Sequence, residues 1–201
     1  MTLLKYIFIF LCIININSVA FCQETKPLPF DTAHTTTIIP NKWSDVRIME
    51  ITGQELLETI NKNGKILNWV ILYSSGCSGT KYAVEYANEM IDTHGDSIGV
   101  YMLAGDSYSN INSIKKELYK NKCAFQSYII SNTYGSYKNQ TKTCLKIRKE
   151  ICPECKTDEI GVPYNIVFNK NGQVVFHGFR WHKSKLPGDF ITYLLEHSNN
   201  D

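Results

Sequence analysis

The sequence predicts an α/β fold: a central, mostly parallel sheet with helices on both faces, finished by a C-terminal β-hairpin and helix. Three observations carry this. Short apolar runs alternate with segments of helical periodicity, the pattern of strands joined by crossover helices. The run Ile66–Tyr73 is mostly apolar and long enough for a central strand buried on both faces. Lys170-Asn171-Gly172-Gln173 stands between two strand-like runs and reads as a hairpin turn, with Asn-Gly supplying two residues that accept positive φ.

Taken in order, the chain opens on a targeting segment. Lys5 is its only early charge, Tyr6 to Ile14 is unbroken apolar, and Ser18-Val19-Ala20 has the small-x-small form that signal peptidase accepts. Residues 1–22 are read as a signal peptide cleaved after 20 or 22, so the protein is expected to be exported, periplasmic or otherwise extracytoplasmic. The apolar run is short for a spanning helix. Membrane attachment is expected only if the segment is retained as an anchor or Cys22 is lipidated, and Phe21 is bulky for a lipobox. Residues 23–44 hold Pro27, Pro29, Pro40 and the Thr35–Thr37 run, and read as a linker or leading arm. The globular domain is placed at 45–201.

Within it, Val46, Ile48 and Ile51 alternate with polar residues, as in a short strand. Thr52-Gly53-Gln54-Glu55 fits a capping box, with Leu56, Leu57 and Ile60 as the apolar face of the helix it opens. After the central strand, Ala83, Tyr86, Ala87, Met90 and Ile91 share one helical face up to Gly95. Ile98–Leu103 is a second buried strand, and Ile111, Ile114 and Leu118 mark the next helix. Tyr128-Ile129-Ile130 is a short strand, and a helix spans roughly Thr143–Lys149. Tyr164–Phe168 and Val174–Phe179 form the hairpin. Pro187-Gly188-Asp189 opens the last helix, with Phe190, Tyr193, Leu194 and His197 on one face.

Of 201 residues, 43% are hydrophobic and 20% charged, which suits one domain with a real core. The net charge of +2 comes with no long basic run, so nucleic acid is not an implied partner. Seven cysteines are present. Four, Cys123, Cys144, Cys152 and Cys155, crowd a span of irregular pattern, and Cys77 stands apart. An odd thiol in an exported chain is a candidate for chemistry.

The chemistry centres on Ser74-Ser75-Gly76-Cys77-Ser78-Gly79-Thr80. An apolar strand ends at a Ser/Gly turn, a cysteine follows, and a helix begins. Backbone N–H groups and the dipole at a helix N-terminus favour negative charge, and so favour a thiolate. The stretch resembles the redox-motif region of the thioredoxin family, strand then W-C-x-x-C then helix. Gly76 stands where that family has Trp and Thr80 where it has the second cysteine. The wider order of elements, through Gly161-Val162-Pro163 and the hairpin, resembles exported thiol–disulfide reductases of the TlpA type and redoxins over roughly residues 44–197.

The resemblance implies a thioredoxin-like fold, with Pro163 in cis beside Cys77. It also implies thiol–disulfide exchange with Cys77 as nucleophile, and protein thiols, disulfides or a redox partner as the other party. Independently of the resemblance, the Thr80 hydroxyl on the first helical turn is read as a donor to the Cys77 sulfur. No cofactor or metal is implied. With no cysteine at position 80, the mixed disulfide needs another thiol to resolve it.

Alternatives stay open on the residues. Cys77 is also readable as a small buried cysteine in a redox-inactive binding or scaffold domain that holds an extended peptide along the Pro163 loop. Cys152-Pro153-Glu154-Cys155 precedes the Pro163 loop, and either cysteine is a candidate resolving thiol. The pair also reads as closing its own disulfide, or as bonding Cys144 or Cys123 as a structural staple. A four-thiolate zinc site from Cys123, Cys144, Cys152 and Cys155 has suitable ligand chemistry. A peroxidase of the peroxiredoxin kind fits less well, since Ser74-Ser75-Gly76 replaces the proline–threonine pattern of that family. His177, Arg180, Trp181 and His182 cluster near the hairpin end without a convergent partner. Asn139-Gln140-Thr141 matches a glycosylation acceptor. Tyr73 and Tyr82 flank the turn and are expected to pack.

Overall fold

In the computed structural model the described residues are 40–135, 140–155, 161–179 and 187–198. The signal segment, most of the 23–44 arm, Asn139, and Arg180, Trp181 and His182 lie outside them. The elements are β1 (Ile48–Ile51), α1 (Gly53–Lys62), β2 (Leu67–Tyr73), α2 (Gly79–His94), β3 (Ile98–Ala104) and α3 (Ile111–Lys120). They continue with β4 (Ser127–Ile130), α4 (Gln140–Ile151), β5 (Tyr164–Asn169), β6 (Val174–Gly178) and α5 (Pro187–Ser198). This is the predicted alternation, and with the sheet described next it gives the α/β fold that the sequence predicts.

The six strands form one sheet in the order β1-β4-β3-β2-β5-β6. β1, β4, β3 and β2 are parallel. β5 is antiparallel to β2, and β6 to β5. Every residue of β2 is buried, as a mostly apolar run covered on both faces requires. Its Leu67, Trp69, Ile71 and Tyr73 join Val84 and Ala87 of α2, Ile114 of α3 and Ile191 of α5 in one core layer. Val70 and Leu72 point the other way, onto Leu56 and Ile60 of α1 and Ile147 and Ile151 of α4. Alternation of side chains along a strand thus produces two layers from one run.

Local signals explain the boundaries. Thr52 and Glu55 form the predicted capping box: the Glu55 N–H donates to Thr52 Oγ1 at 3.2 Å and the Thr52 N–H to Glu55 Oε2 at 2.8 Å. Such a cap contributes about 1 kcal/mol. The hairpin turn differs from expectation. Only Gly172 has positive φ (73°), and Asn171 does not. The Gly172 N–H donates to the Asn169 carbonyl and the Asn169 N–H to the Gln173 carbonyl, so a three-residue loop with one left-handed glycine closes the hairpin.

Two further differences concern faces. In α5 the buried residues are Ile191 and Leu195, while Tyr193 and His197 are exposed and stack on each other with centroids 4.1 Å apart. The helix docks on the i, i+4 row adjacent to the predicted one. At the other end, Trp43–Asp45 makes a 3-10 turn. Lys116 lies over the Trp43 ring at 5.0 Å and the Tyr119 hydroxyl donates to the Asn41 carbonyl, so the last residues of the predicted linker pack on α3. No helix among the described residues is long and apolar enough to cross a membrane.

Candidate functional site

β2 leaves the sheet at Tyr73, and the chain turns at once: the Cys77 N–H donates to the Ser74 carbonyl at 3.1 Å. The Thr80 N–H then donates to the Cys77 carbonyl at 3.0 Å, which starts α2. Cys77 is half-buried, whereas the other two free cysteines among the described residues, Cys123 and Cys144, are buried. Ser78, at the N-cap, makes no side-chain capping bond. A Cβ at Gly76 would meet nothing within 4 Å, so the approach over the turn is open.

The loop before β5 arrives from the opposite direction. β5 runs antiparallel to β2, and Tyr164 pairs with Leu72, so residues 161–163 reach the end of β2 where Cys77 stands. The Val162–Pro163 peptide bond is cis. The Cys77 thiol donates to the Val162 carbonyl at 3.1 Å. A Cβ on Gly79 would lie 2.7 Å from Pro163 Cδ and 3.6 Å from Cys77 Sγ, so only a glycine admits the proline ring here unmoved. Cys77, Gly79 and Pro163 therefore meet at one point.

Thr80 has a different task from the one expected. It is fully buried, and its hydroxyl donates to the Ser74 carbonyl at 2.8 Å, not to the Cys77 sulfur. It closes the turn from inside. Tyr73 is buried, with its hydroxyl 3.0 Å from Ser127 Oγ, and burial pushes its phenol up. Tyr82 is 58% exposed and does not pack as expected.

A buried carboxylate that belongs to no motif of the sequence holds the turn. Asp106, just beyond the end of β3, is 3% exposed. Its Oδ2 accepts the Ser75 N–H at 3.0 Å, and its Oδ1 accepts the Ser75 hydroxyl and the Gln140 Nε2, both at 2.8 Å. Gln140 Oε1 in turn accepts the Ser74 hydroxyl at 2.7 Å, and Ser74 Oγ accepts the Gly76 N–H at 3.3 Å. The one sequence signal for Asp106 is position: loops beyond the carboxyl ends of parallel strands gather functional residues in open α/β sheets.

The remaining cysteines separate. Cys152 and Cys155 form a disulfide with Cα atoms 5.3 Å apart, and both are buried. Neither offers the thiol that a resolving role needs while that bond stands. The four-thiolate zinc reading is overturned as well, because two of its four sulfurs are bonded to each other. Among the described residues no group of three or more His, Cys, Asp or Glu is placed to hold a metal ion. Burial pushes the thiols of Cys123 and Cys144 up to about 12. Cys144 Sγ occupies the space a Cβ on Gly105 would need. His177 Nδ1 lies 3.0 Å from the Tyr164 hydroxyl, a pairing within the hairpin.

No protein-family model and no curated protein matches the chain. Solved structures do. One is a thioredoxin-like protein in the oxidised form, 17% identical with a TM-score of 0.49, covering 73% of this chain and 84% of that one. A second is the thioredoxin domain of a thiol-disulfide oxidoreductase from Bacteroides vulgatus, 15% identical with a TM-score of 0.49, covering 69% and 84%. A third is a thiol:disulfide interchange protein from Bacteroides sp., 16% identical with a TM-score of 0.48, covering 72% and 78%.

Proposed function

We propose that this thioredoxin-like chain is an exported thiol–disulfide exchange protein that works through a single nucleophilic cysteine, Cys77. One observation carries the reading: a half-buried thiol at the start of α2, under an open turn and against the Val162–Pro163 loop. Cys77 stands immediately before the N-cap Ser78 of α2. The thiolate attacks one sulfur of a partner disulfide. A Cys77–S–S–R bond forms, and the other sulfur leaves with the electron pair as a thiolate. An outside thiolate R′–S⁻ then attacks the R sulfur of the mixed disulfide: an R–S–S–R′ bond forms, the Cys77–S–S–R bond breaks, and Cys77 leaves with the electron pair as the thiolate. Thr80 supplies no second sulfur, so the covalent intermediate outlasts that of a two-cysteine motif. Export rests on the 1–22 segment, and the partners are protein thiols, disulfides or a redox protein.

One observation favours a second reading, a binding domain without redox turnover. The Cys77 thiol already donates to the Val162 carbonyl, and a thiolate has no proton for that bond. Alkylation separates the two. Read on the Cys77 peptide by mass spectrometry, iodoacetamide is expected to modify Cys77 at least about tenfold faster in the folded chain than in the urea-unfolded chain at neutral pH. An equal or slower folded rate favours the binding domain. Cys77→Ser is expected to abolish both trapped adducts and disulfide-reducing activity.

A further inference from the structure

We propose that Asp106 and Gln140 are positioning residues for Cys77, an inference that rests on the exchange reading above. Asp106 is 3% exposed, so its carboxylate must find its partners within the protein. It finds Ser75, through both N–H and hydroxyl, and Gln140. Gln140 completes the ring by accepting from Ser74, whose own oxygen accepts the Gly76 N–H. Every residue between the end of β2 and Cys77 is therefore tied into one hydrogen-bonded network, and its anchor is a carboxylate. Bonds to an ionised acceptor are the stronger kind.

The network has a direction. Thr80 closes the turn from the α2 side through the Ser74 carbonyl, and Asp106 closes it from the β3 side through Ser75. Cys77 lies between the two closures. Its backbone follows directly from Gly76, which has no side chain to restrain it, so the Asp106 bonds hold the turn that points the sulfur at Val162 and the start of α2. Gln140, the first residue of α4, carries the same restraint to a helix on the opposite face of the sheet. The placement of α4 is thereby coupled to the posture of the thiol.

The test uses the full chain and the folded-over-unfolded rate ratio for Cys77 alkylation by iodoacetamide, measured where circular dichroism shows each variant folded. Asp106→Ala is expected to lose about tenfold of that ratio, the size of losing bonds to a charged group. Asp106→Asn is expected to stay within about threefold of the wild type, because its oxygen still accepts from Ser75 and the Gln140 amide can turn over to accept from it. Gln140→Ala is expected to fall between. A lower melting temperature with the ratio intact in Asp106→Ala marks a purely structural clamp and overturns the inference, as does Asp106→Asn behaving like Asp106→Ala. If Asp106→Ala does not fold, Ser75→Ala and Gln140→Ala decide by the same criterion: loss of ratio supports it, an intact ratio overturns it. A wild-type chain with no folded-state enhancement removes the exchange reading itself, and the positioning role with it.

Discussion

Cys77 depends on small neighbours. Gly79 has no Cβ, and the space one would fill belongs to the Pro163 ring at 2.7 Å. Gly79→Ala therefore forces Pro163 away from the thiol, and its stability cost is expected at about 1–3 kcal/mol, the usual size of overpacking. Urea unfolding measures the cost, and a changed Cys77 alkylation rate reports the displaced loop. Thr80→Cys probes the other side. It removes one bond, from the Thr80 hydroxyl to the Ser74 carbonyl, and places a second sulfur on the first turn of α2. Under oxidant the variant is expected to form a disulfide between Cys77 and the introduced thiol, and to turn over faster than the wild type in an insulin-reduction assay. An unchanged rate there counts against slow resolution as the limiting step. Cys77 and Pro163 are legible in the sequence because a local pattern marks each of them. The Asp106 network is not: its bonds join residues 31, 34 and 66 apart, and no short window contains both ends.

At the scale of elements, periodicity serves well where one face is clearly apolar, and less well where two rows compete. The capping box at Thr52 and the fully buried β2 follow directly from their residues. α5 offers Phe190/Leu194 and Ile191/Leu195 as adjacent rows, and the sheet takes the second pair deepest, leaving Tyr193 at the rim. The end of α4 is stapled: the Cys152 N–H donates to the Arg148 carbonyl, the Cys155 N–H to the Cys152 carbonyl, and the disulfide joins the two cysteines. Closing so short a loop restrains few unfolded conformations and is worth about 2 kcal/mol in the chain-entropy account. Replacing both cysteines by Ala is expected to lower the unfolding free energy by about that amount, measured as the urea midpoint. Peptide mapping of the denatured, unreduced chain is expected to find Cys77, Cys123 and Cys144 alkylated, with Cys152 and Cys155 labelled only after reductant. Label on the pair without reductant would show the bond absent from the isolated protein.

For the whole molecule, burial of neutral groups sets a limit on the alkaline side. The Cys123 and Cys144 thiols are pushed by burial from 9.0 up to about 12, and the Tyr101 and Tyr128 phenols from 10.0 up to about 12. Each raised value favours the folded state while the group stays neutral. The thiol contribution is thus complete below the unfolded value near 9 and is lost as pH rises from there toward about 12. Urea midpoints are expected to hold near pH 8 and fall by pH 10.5, with a shallower fall in Cys144→Ala. The antiparallel placement of β5 has a consequence in time. Cys77 and the carbonyl that accepts its hydrogen bond are 85 residues apart in the chain. At about 5–20 residues per second a ribosome takes roughly 4–17 s to cover that distance. Throughout that interval the nascent chain carries the Cys77 sulfur with neither Val162 nor Pro163 beside it, and Cys123 and then Cys144 are added in its second half. Those two thiols are opportunities for a wrong bond, and their withdrawal into opposite faces of the sheet leaves Cys77 the accessible free thiol among the described residues when β5 finally arrives.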